Sequence, residues 1–137
     1  MSLVLDAALT LAWFFKDERT AGVDAVLTQV TENGAVVPAL WRLEVANALQ
    51  MAVRRKRIDA AFRDSALTQL SRLSISADPD TDAYAWTVIL QLADRFQLTV
   101  YDAAYLELAK RRALPLATLD GDLRTAARAE GVELLGV

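Results

Sequence analysis

No cysteine and no histidine occur among the 137 residues. Lack of Cys removes disulfide frameworks, thiolate zinc sites and Cys nucleophiles, and lack of His removes Ser-His and Cys-His dyads and imidazole ligands. Any catalysis must therefore run on carboxylates, hydroxyls, Lys, Arg or a hard metal ion. Proline and glycine are scarce, three and five, and sit singly, so no linker or low-complexity tract divides the chain. No uncharged apolar stretch approaches the roughly 18 residues that a membrane span needs. The opening Met1-Ser2-Leu3-Val4-Leu5-Asp6 lacks the charged lead and long apolar region of a signal peptide. The expectation is a cytoplasmic protein without membrane contact. Cations are also in deficit: Lys+Arg 15 against Asp+Glu 18 gives a net charge of −3 and an isoelectric point of about 4.9. That balance excludes the broad basic surface of a nucleic-acid-coating protein, though not a local basic patch.

What is present is 54% apolar side chains in a length suited to one domain over 1–137. Such a chain buries about two-thirds of its unfolded surface and needs no disulfide or metal staple. The apolar period switches repeatedly between strand-like and helix-like. Short buried strands are expected at Leu3-Val4-Leu5, Gly34 to Pro38, Ser74 to Ala77, Pro115 to Thr118 and Val132 to Leu135. Helices are expected from Ala7 to Phe15, Glu18 to about Val30, Trp41 to about Arg55, Asp59 to Leu73, Thr81 to Phe96, Asp102 to Ala113 and Asp122 to Glu130. In the fifth of these, Trp86, Ile89, Ala93 and Phe96 share a stripe. This alternation predicts an α/β fold of three layers, a mostly parallel central sheet flanked by helices.

In such sheets ligands bind beyond the carboxyl ends of the strands. Acids recur there: Asp6 after the first strand, Asp120 after the fourth, Asp102 opening a helix after the extended Leu98-Thr99-Val100, and Glu44 one turn into the helix after the second strand. Each Asp taken alone has a structural alternative, since Asp is favoured at helix starts. For Glu44 the alternative is a solvated face, but the helical projection puts it on the margin of the Val45, Ala48, Leu49, Ala52 stripe. Asp102 shares a side with Leu106, Ala109 and Ala113, while Glu107, Lys110 and Arg111 project away. Four converging carboxylates repel one another unless a cation neutralises them. All-oxygen ligands favour Mg²⁺ or Mn²⁺, which activate water and stabilise charge on a phosphodiester.

Val4-Leu5-Asp6-Ala7, Glu44-Val45-Ala46-Asn47-Ala48-Leu49, the run from Thr99 to Ala109 with Tyr101-Asp102-Ala103-Ala104-Tyr105-Leu106 at its heart, and Leu116-Ala117-Thr118-Leu119-Asp120 resemble the motifs of PIN domains, and among them the VapC-type toxin ribonucleases of bacterial toxin–antitoxin pairs. The resemblance spans essentially the whole chain. It implies a Mg²⁺- or Mn²⁺-dependent endoribonuclease with Asp6, Glu44, Asp102 and Asp120 as its acidic quartet. It further implies Thr118 and Asn47 as supporting polar residues, a homodimer, and a cognate antitoxin whose tail blocks the groove and through which alone DNA is met. One departure stands out: the family commonly carries Ser, Thr or Asn two residues after the first Asp, where this chain has Ala8. Thr10 is the substitute at hand, and metal affinity is expected to be weaker without that hydroxyl.

Asp122 competes with Asp120 for the last acidic role; the Thr-x-Asp spacing favours Asp120, leaving Asp122 as the helix cap and Gly121 to turn the backbone. Arg54-Arg55-Lys56-Arg57 is the one dense basic run. Arg54, Arg55 and Arg57 are the candidate RNA contacts, weighed against a solvated helix end that favours cations anyway. Arg111, Arg112 and Arg124 are secondary candidates. Of Trp13, Phe14 and Phe15, three adjacent helical positions cannot all face inward, so one is expected to meet a partner. Two rivals remain. A phosphoryl-accepting receiver needs a Lys after a late strand, and Lys16, Lys56 and Lys110 all fall in expected helices. A catalytically weak PIN-like module that only binds RNA or a partner is the alternative that Ala8 keeps open.

Overall fold

A computed structural model describes all residues from Met1 to Val137. Five short strands form one sheet: β1 (Val4–Leu5), β2 (Ala35–Val37), β3 (Ile75–Ala77), β4 (Leu116–Ala117) and β5 (Leu134–Leu135), in the order β3-β2-β1-β4-β5. Every pairing is parallel, with Val4 opposite Val36 on one side and Leu116 on the other. The central strands are apolar at each position because helices cover both faces of the sheet. Val4, Leu5, Leu116 and Ala117 are accordingly buried.

Eight helices accompany the sheet: α1 (Ala7–Ala12), α2 (Ala21–Asn33), α3 (Trp41–Arg54), α4 (Ala60–Ser71), α5 (Thr81–Tyr84), α6 (Val88–Phe96), α7 (Val100–Arg112) and α8 (Gly121–Ala129). Helix α3 packs on α1 and α4, whereas α7 packs on α6, α8 and β1. Helix α7 is buried without interruption from Ala103 to Ala109. From β1 the chain steps outward to β2 and β3, then crosses back to β4 and β5. The reversal leaves a crevice beyond the carboxyl ends of β1 and β4, the place where open parallel sheets bind ligands.

Several expected boundaries move, each for a local reason. The first helix stops at Ala12 instead of Phe15, and Phe15 is extended. Freed from helical geometry, Trp13 and Phe15 both turn inward and Phe14 is half-buried; the Trp13 indole donates to Val23 O at 3.0 Å. The second helix starts at Ala21 because Thr20 caps it through Val23 N–H, and a short 3₁₀ turn (Lys16–Glu18) precedes it. Thr81 to Phe96 is two helices. Thr87 adopts φ −119°, ψ −98°, and the break leaves Trp86 90% exposed instead of on the stripe with Ile89 and Ala93. Helix α7 begins at Val100, so Leu98-Thr99-Val100 is a helix entry with Thr99 as its cap and Asp102 lies inside the first turn.

Glu107 does not project away from the core: it is buried, held by Arg111 at 2.8 Å. Arg111 and Arg112 both bind the buried Asp78, at 2.7 and 2.8 Å. Arg124 donates to the carbonyls of Thr118 and Leu135, at 2.7 and 3.1 Å. These three arginines clamp the fold and are not free cations for phosphate.

Candidate active site

The ends of β1 and β4 deliver the first two acids. Asp6 N–H donates to Ala117 O at 3.0 Å, which carries the sheet ladder one residue beyond the strand and fixes Asp6 at the crevice. Asp6 occupies the N-cap position of α1 with an extended backbone; its carboxylate makes no full capping hydrogen bond, although the Ala8 N–H lies near enough to pull its pKa down. Its Oδ2 accepts from Thr118 Oγ1 at 2.7 Å, and both residues are buried. The Thr118 hydroxyl also accepts from Asp120 N–H at 3.2 Å, so one side chain ties the first acid to the loop that carries the last. Thr10 does not replace the hydroxyl missing at position 8. It is buried and donates to the Asp6 carbonyl at 3.0 Å rather than to the carboxylate, while Ala8 is exposed.

Asp102 is relieved of capping by Thr99, whose Oγ1 accepts the Asp102 N–H at 3.1 Å. Its carboxylate lies half-buried at the same crevice. Glu44 enters from the first turn of α3, also half-buried, and its Oε1 accepts from Tyr105 Oη at 2.5 Å. Asp120 does cap: its Oδ1 accepts from Asp122 N–H at 2.9 Å. The N-cap of α8 is therefore Asp120, not Asp122, because the helix begins at Gly121, one residue earlier than its sequence pattern suggests. Gly121 is helical and a Cβ there would meet open space, so no tight turn requires it.

The carboxylates act on one another. Burial, helped by the charges of Asp102 and Glu44, lifts Asp6 from 3.8 to about 6, against the pull of the Thr118 hydrogen bond. Glu44 is raised by burial and by Asp102, the Tyr105 hydrogen bond opposing. Asp102 is raised by burial first, then by Asp120, and least by Asp122. Of the two aspartates in the Thr118 to Asp122 loop, Asp120 thus couples the more strongly to Asp102. As the side chains lie, no three of these groups are gathered tightly enough to enclose one ion. The donor chemistry nonetheless suits a hard divalent cation: four carboxylates, with Asp6, Glu44 and Asp102 raised and no cation among the causes of those shifts.

The other expected residues make no hydrogen bond or ion pair with these four carboxylates. Asn47 is exposed, one turn further along α3. Arg54 and Arg55 are exposed at the far end of α3 with no ion pair, whereas Arg57 binds Asp17 and Glu18 at 3.0 and 2.8 Å and lies 3.9 Å over the Phe15 ring. Tyr105 is the site residue that sequence reasoning misses. Its signal is its position three residues after Asp102, which puts both side chains on one helix face and hence at one sheet edge.

Comparison with known proteins agrees with this geometry. The PIN domain family model matches residues 3–129. Ribonuclease VapC3 of Pyrobaculum aerophilum is 30% identical over 123 residues, covering 90% of this chain and 92% of that protein. Among solved structures, PAE2754 from Pyrobaculum aerophilum superposes with a TM-score of 0.70 at 24% identity, covering 98% of this chain and 83% of the other. VapBC2 from Rickettsia felis, solved with a DNA fragment from its promoter, gives 0.65 at 15% identity over 98% and 97% of the two chains. The structural likenesses speak for the fold, the family model and the VapC3 match for descent: the chain belongs to the PIN domain family, in its VapC ribonuclease group.

Proposed function

We propose that this chain is an endoribonuclease that hydrolyses RNA phosphodiester bonds with Mg²⁺ or Mn²⁺, as the toxin of a toxin–antitoxin pair. In this reading it is one domain over 1–137 that works in the cytoplasm as a homodimer. Its partners are RNA, a cognate antitoxin protein and, through that antitoxin alone, DNA. The observation that carries the proposal is the meeting of Asp6, Glu44 and Asp102 beyond the ends of β1 and β4, next to Asp120, each raised first by burial and then by a neighbouring carboxylate. A cluster of like charges kept at some cost to the fold is what a cation-holding site requires.

Asp6, Glu44, Asp102 and Asp120 are the residues that would hold the cation. When bound, it would supply Lewis-acid chemistry, acidifying water and neutralising charge that builds on the phosphate and the leaving oxygen. Thr118 orients the Asp6 carboxylate, and Asn47 offers an exposed amide beside Glu44. Arg54 and Arg55 engage the RNA backbone about 16 Å of helix rise from Glu44, close enough for one strand to touch both. Arg57, shared with Asp17 and Glu18, contributes less.

The test is cleavage of a structured RNA by the purified protein. Cutting is expected with Mg²⁺ or Mn²⁺, to stop in EDTA and to be weak with Ca²⁺. Cutting that persists undiminished in EDTA, on a preparation free of other nucleases, overturns the metal chemistry. A second reading, a PIN-like module that binds RNA or a partner without cutting it, draws on the finding that no three carboxylates are gathered round one point. It is favoured if RNA binds and stays intact at every metal concentration.

A further inference from the structure

Tyr105 is fully buried in α7, and a Phe there would fill the same volume without a polar group to satisfy. Its hydroxyl donates to the Glu44 carboxylate 61 residues earlier, and the Ala7 N–H, next to Asp6, also approaches the phenol oxygen. The buried ionic groups elsewhere pair within the fold, Asp78 and Glu107 with Arg111 and Arg112. Tyr105 instead reaches from the core to a half-exposed acid of the crevice. The bond occupies Oε1 of Glu44 and leaves Oε2 with no protein donor. Thr118 does the same to Asp6, taking Oδ2. Each of these two acids thus has one oxygen fixed by a buried hydroxyl from a neighbouring element. That is how supporting residues commonly orient metal-binding carboxylates.

We propose that Tyr105 is a positioning residue of the site, its hydroxyl fixing the Glu44 carboxylate so that Oε2 is the oxygen offered to the divalent cation. The inference rests on the metal-dependent reading above. Tyr105 touches neither substrate nor cation and acts through the Glu44 carboxylate, to which it donates. Mobility of the Glu44 side chain is what it removes: a Glu on the first turn of α3 has several rotamers open to it, and a buried phenol selects one. The phenol itself is immobile because Ala103, Ala104, Leu106 and Leu108 lock the surrounding helix into the core.

The experiment compares the parent with Tyr105→Phe, Glu44→Gln and the double variant. It reads Mn²⁺ affinity by calorimetry, kcat and KM for RNA cleavage, and thermal melting in EDTA. A positioning role is expected to weaken Mn²⁺ binding by about 10- to 100-fold in Tyr105→Phe, the range seen when such supports are removed. The loss should fall on kcat rather than KM. Adding Tyr105→Phe to Glu44→Gln should then cost much less than Tyr105→Phe costs the parent, since the phenol acts chiefly through Glu44. If Tyr105→Phe melts lower but binds Mn²⁺ and cleaves as the parent does, the hydroxyl is only a tie between α3 and α7 and the proposal is overturned. A parent that binds no Mn²⁺ overturns the metal-dependent reading, and this inference with it. Should Tyr105→Phe fail to fold, the Tyr105 resonances of the parent are followed through a Mg²⁺ titration. A shift saturating with the metal-dependent rise in melting temperature supports the role, and invariance overturns it.

Discussion

Asp6 and Asp78 are both buried aspartates, and their surroundings give them opposite responses to pH. Asp78 sits between Arg111 and Arg112, which hold it down at about 2. Its contribution to stability is present above its ordinary value of 3.8 and is lost as pH falls towards 2. Asp6, lifted from 3.8 to about 6, binds its proton more tightly folded than unfolded. The metal-free fold is therefore favoured below pH 3.8 and loses that advantage as pH rises to about 6, by about 3 kcal/mol at most. Denaturant melts in EDTA should show stability falling between pH 4 and about 6, a fall that Asp6→Asn flattens. An unchanged slope in Asp6→Asn would place the shift elsewhere. Asp78→Asn should lower stability at neutral pH, because two arginines lose their buried partner. The last two acids are separable as well. Asp120→Asn keeps a good capping residue, so it should abolish cleavage at little cost in stability. Asp122→Asn should leave most of the cleavage and lose only a few tenths of a kcal/mol of dipole interaction. Reversed activities for this pair would move the site to Asp122. The strand-end acids are legible in the sequence because parallel strands must end at one edge; the roles of Thr10 and Tyr105 are not, because a hydroxyl's partner lies in another element.

Helix α7 shows which elements a sequence reveals and which it conceals. Its apolar run announces a helix, but being buried all round it has no polar face from which to read orientation, and a helical projection sets Glu107 on the wrong side. Asp59 caps the helix whose start it marks in the sequence, whereas Thr20 and Thr99 cap helices whose starts the apolar pattern sets at Glu18 and Asp102. The break at Thr87 carries no Gly or Pro, so a continuous helix from Thr81 to Phe96 is the simpler expectation. Helix α1 ends at Ala12 and Phe15 is extended, so Trp13 and Phe15 both reach the core, an arrangement that a continuous helical wheel cannot represent. Thr99 gains a function beyond the cap: besides taking the Asp102 amide, its hydroxyl favours the charged Asp102 carboxylate and so holds that acid at the start of its helix. Thr99→Ala should cost about 1 kcal/mol of stability in denaturant titrations. It should also lower cleavage more than that loss explains, as Asp102 turns to cap its own helix. Thr99→Ser should restore both. Equal cleavage by Thr99→Ala and the parent under conditions where both are folded would detach the cap from the site.

Across the whole molecule, the sheet order places the acids at the reversal between β1 and β4, while the free cations Arg54 and Arg55 stand at the far end of α3. With a net charge of −3, the proposed RNA contact needs a local cationic patch to offset the repulsion of the acids, and Arg54 and Arg55 are exposed and without an ion pair. Replacing Arg54 and Arg55 by Ala should weaken RNA binding alike across sequences. The slope of log affinity against log salt should shrink by about 0.7 for each phosphate no longer neutralised. An unchanged slope would remove α3 from the RNA path. The central claim is that Asp6, Glu44, Asp102 and Asp120 form one cation-holding cluster rather than a set of separate structural acids. Thermal melting of the parent, Asp6→Asn and Asp102→Asn, in EDTA and across a Mn²⁺ titration, tests it most directly. A shared cluster is relieved by losing a charge and loses metal affinity with it. Both variants should then melt at or above the parent in EDTA and gain less from Mn²⁺. Variants that melt below the parent in EDTA and keep its full response to Mn²⁺ would contradict it.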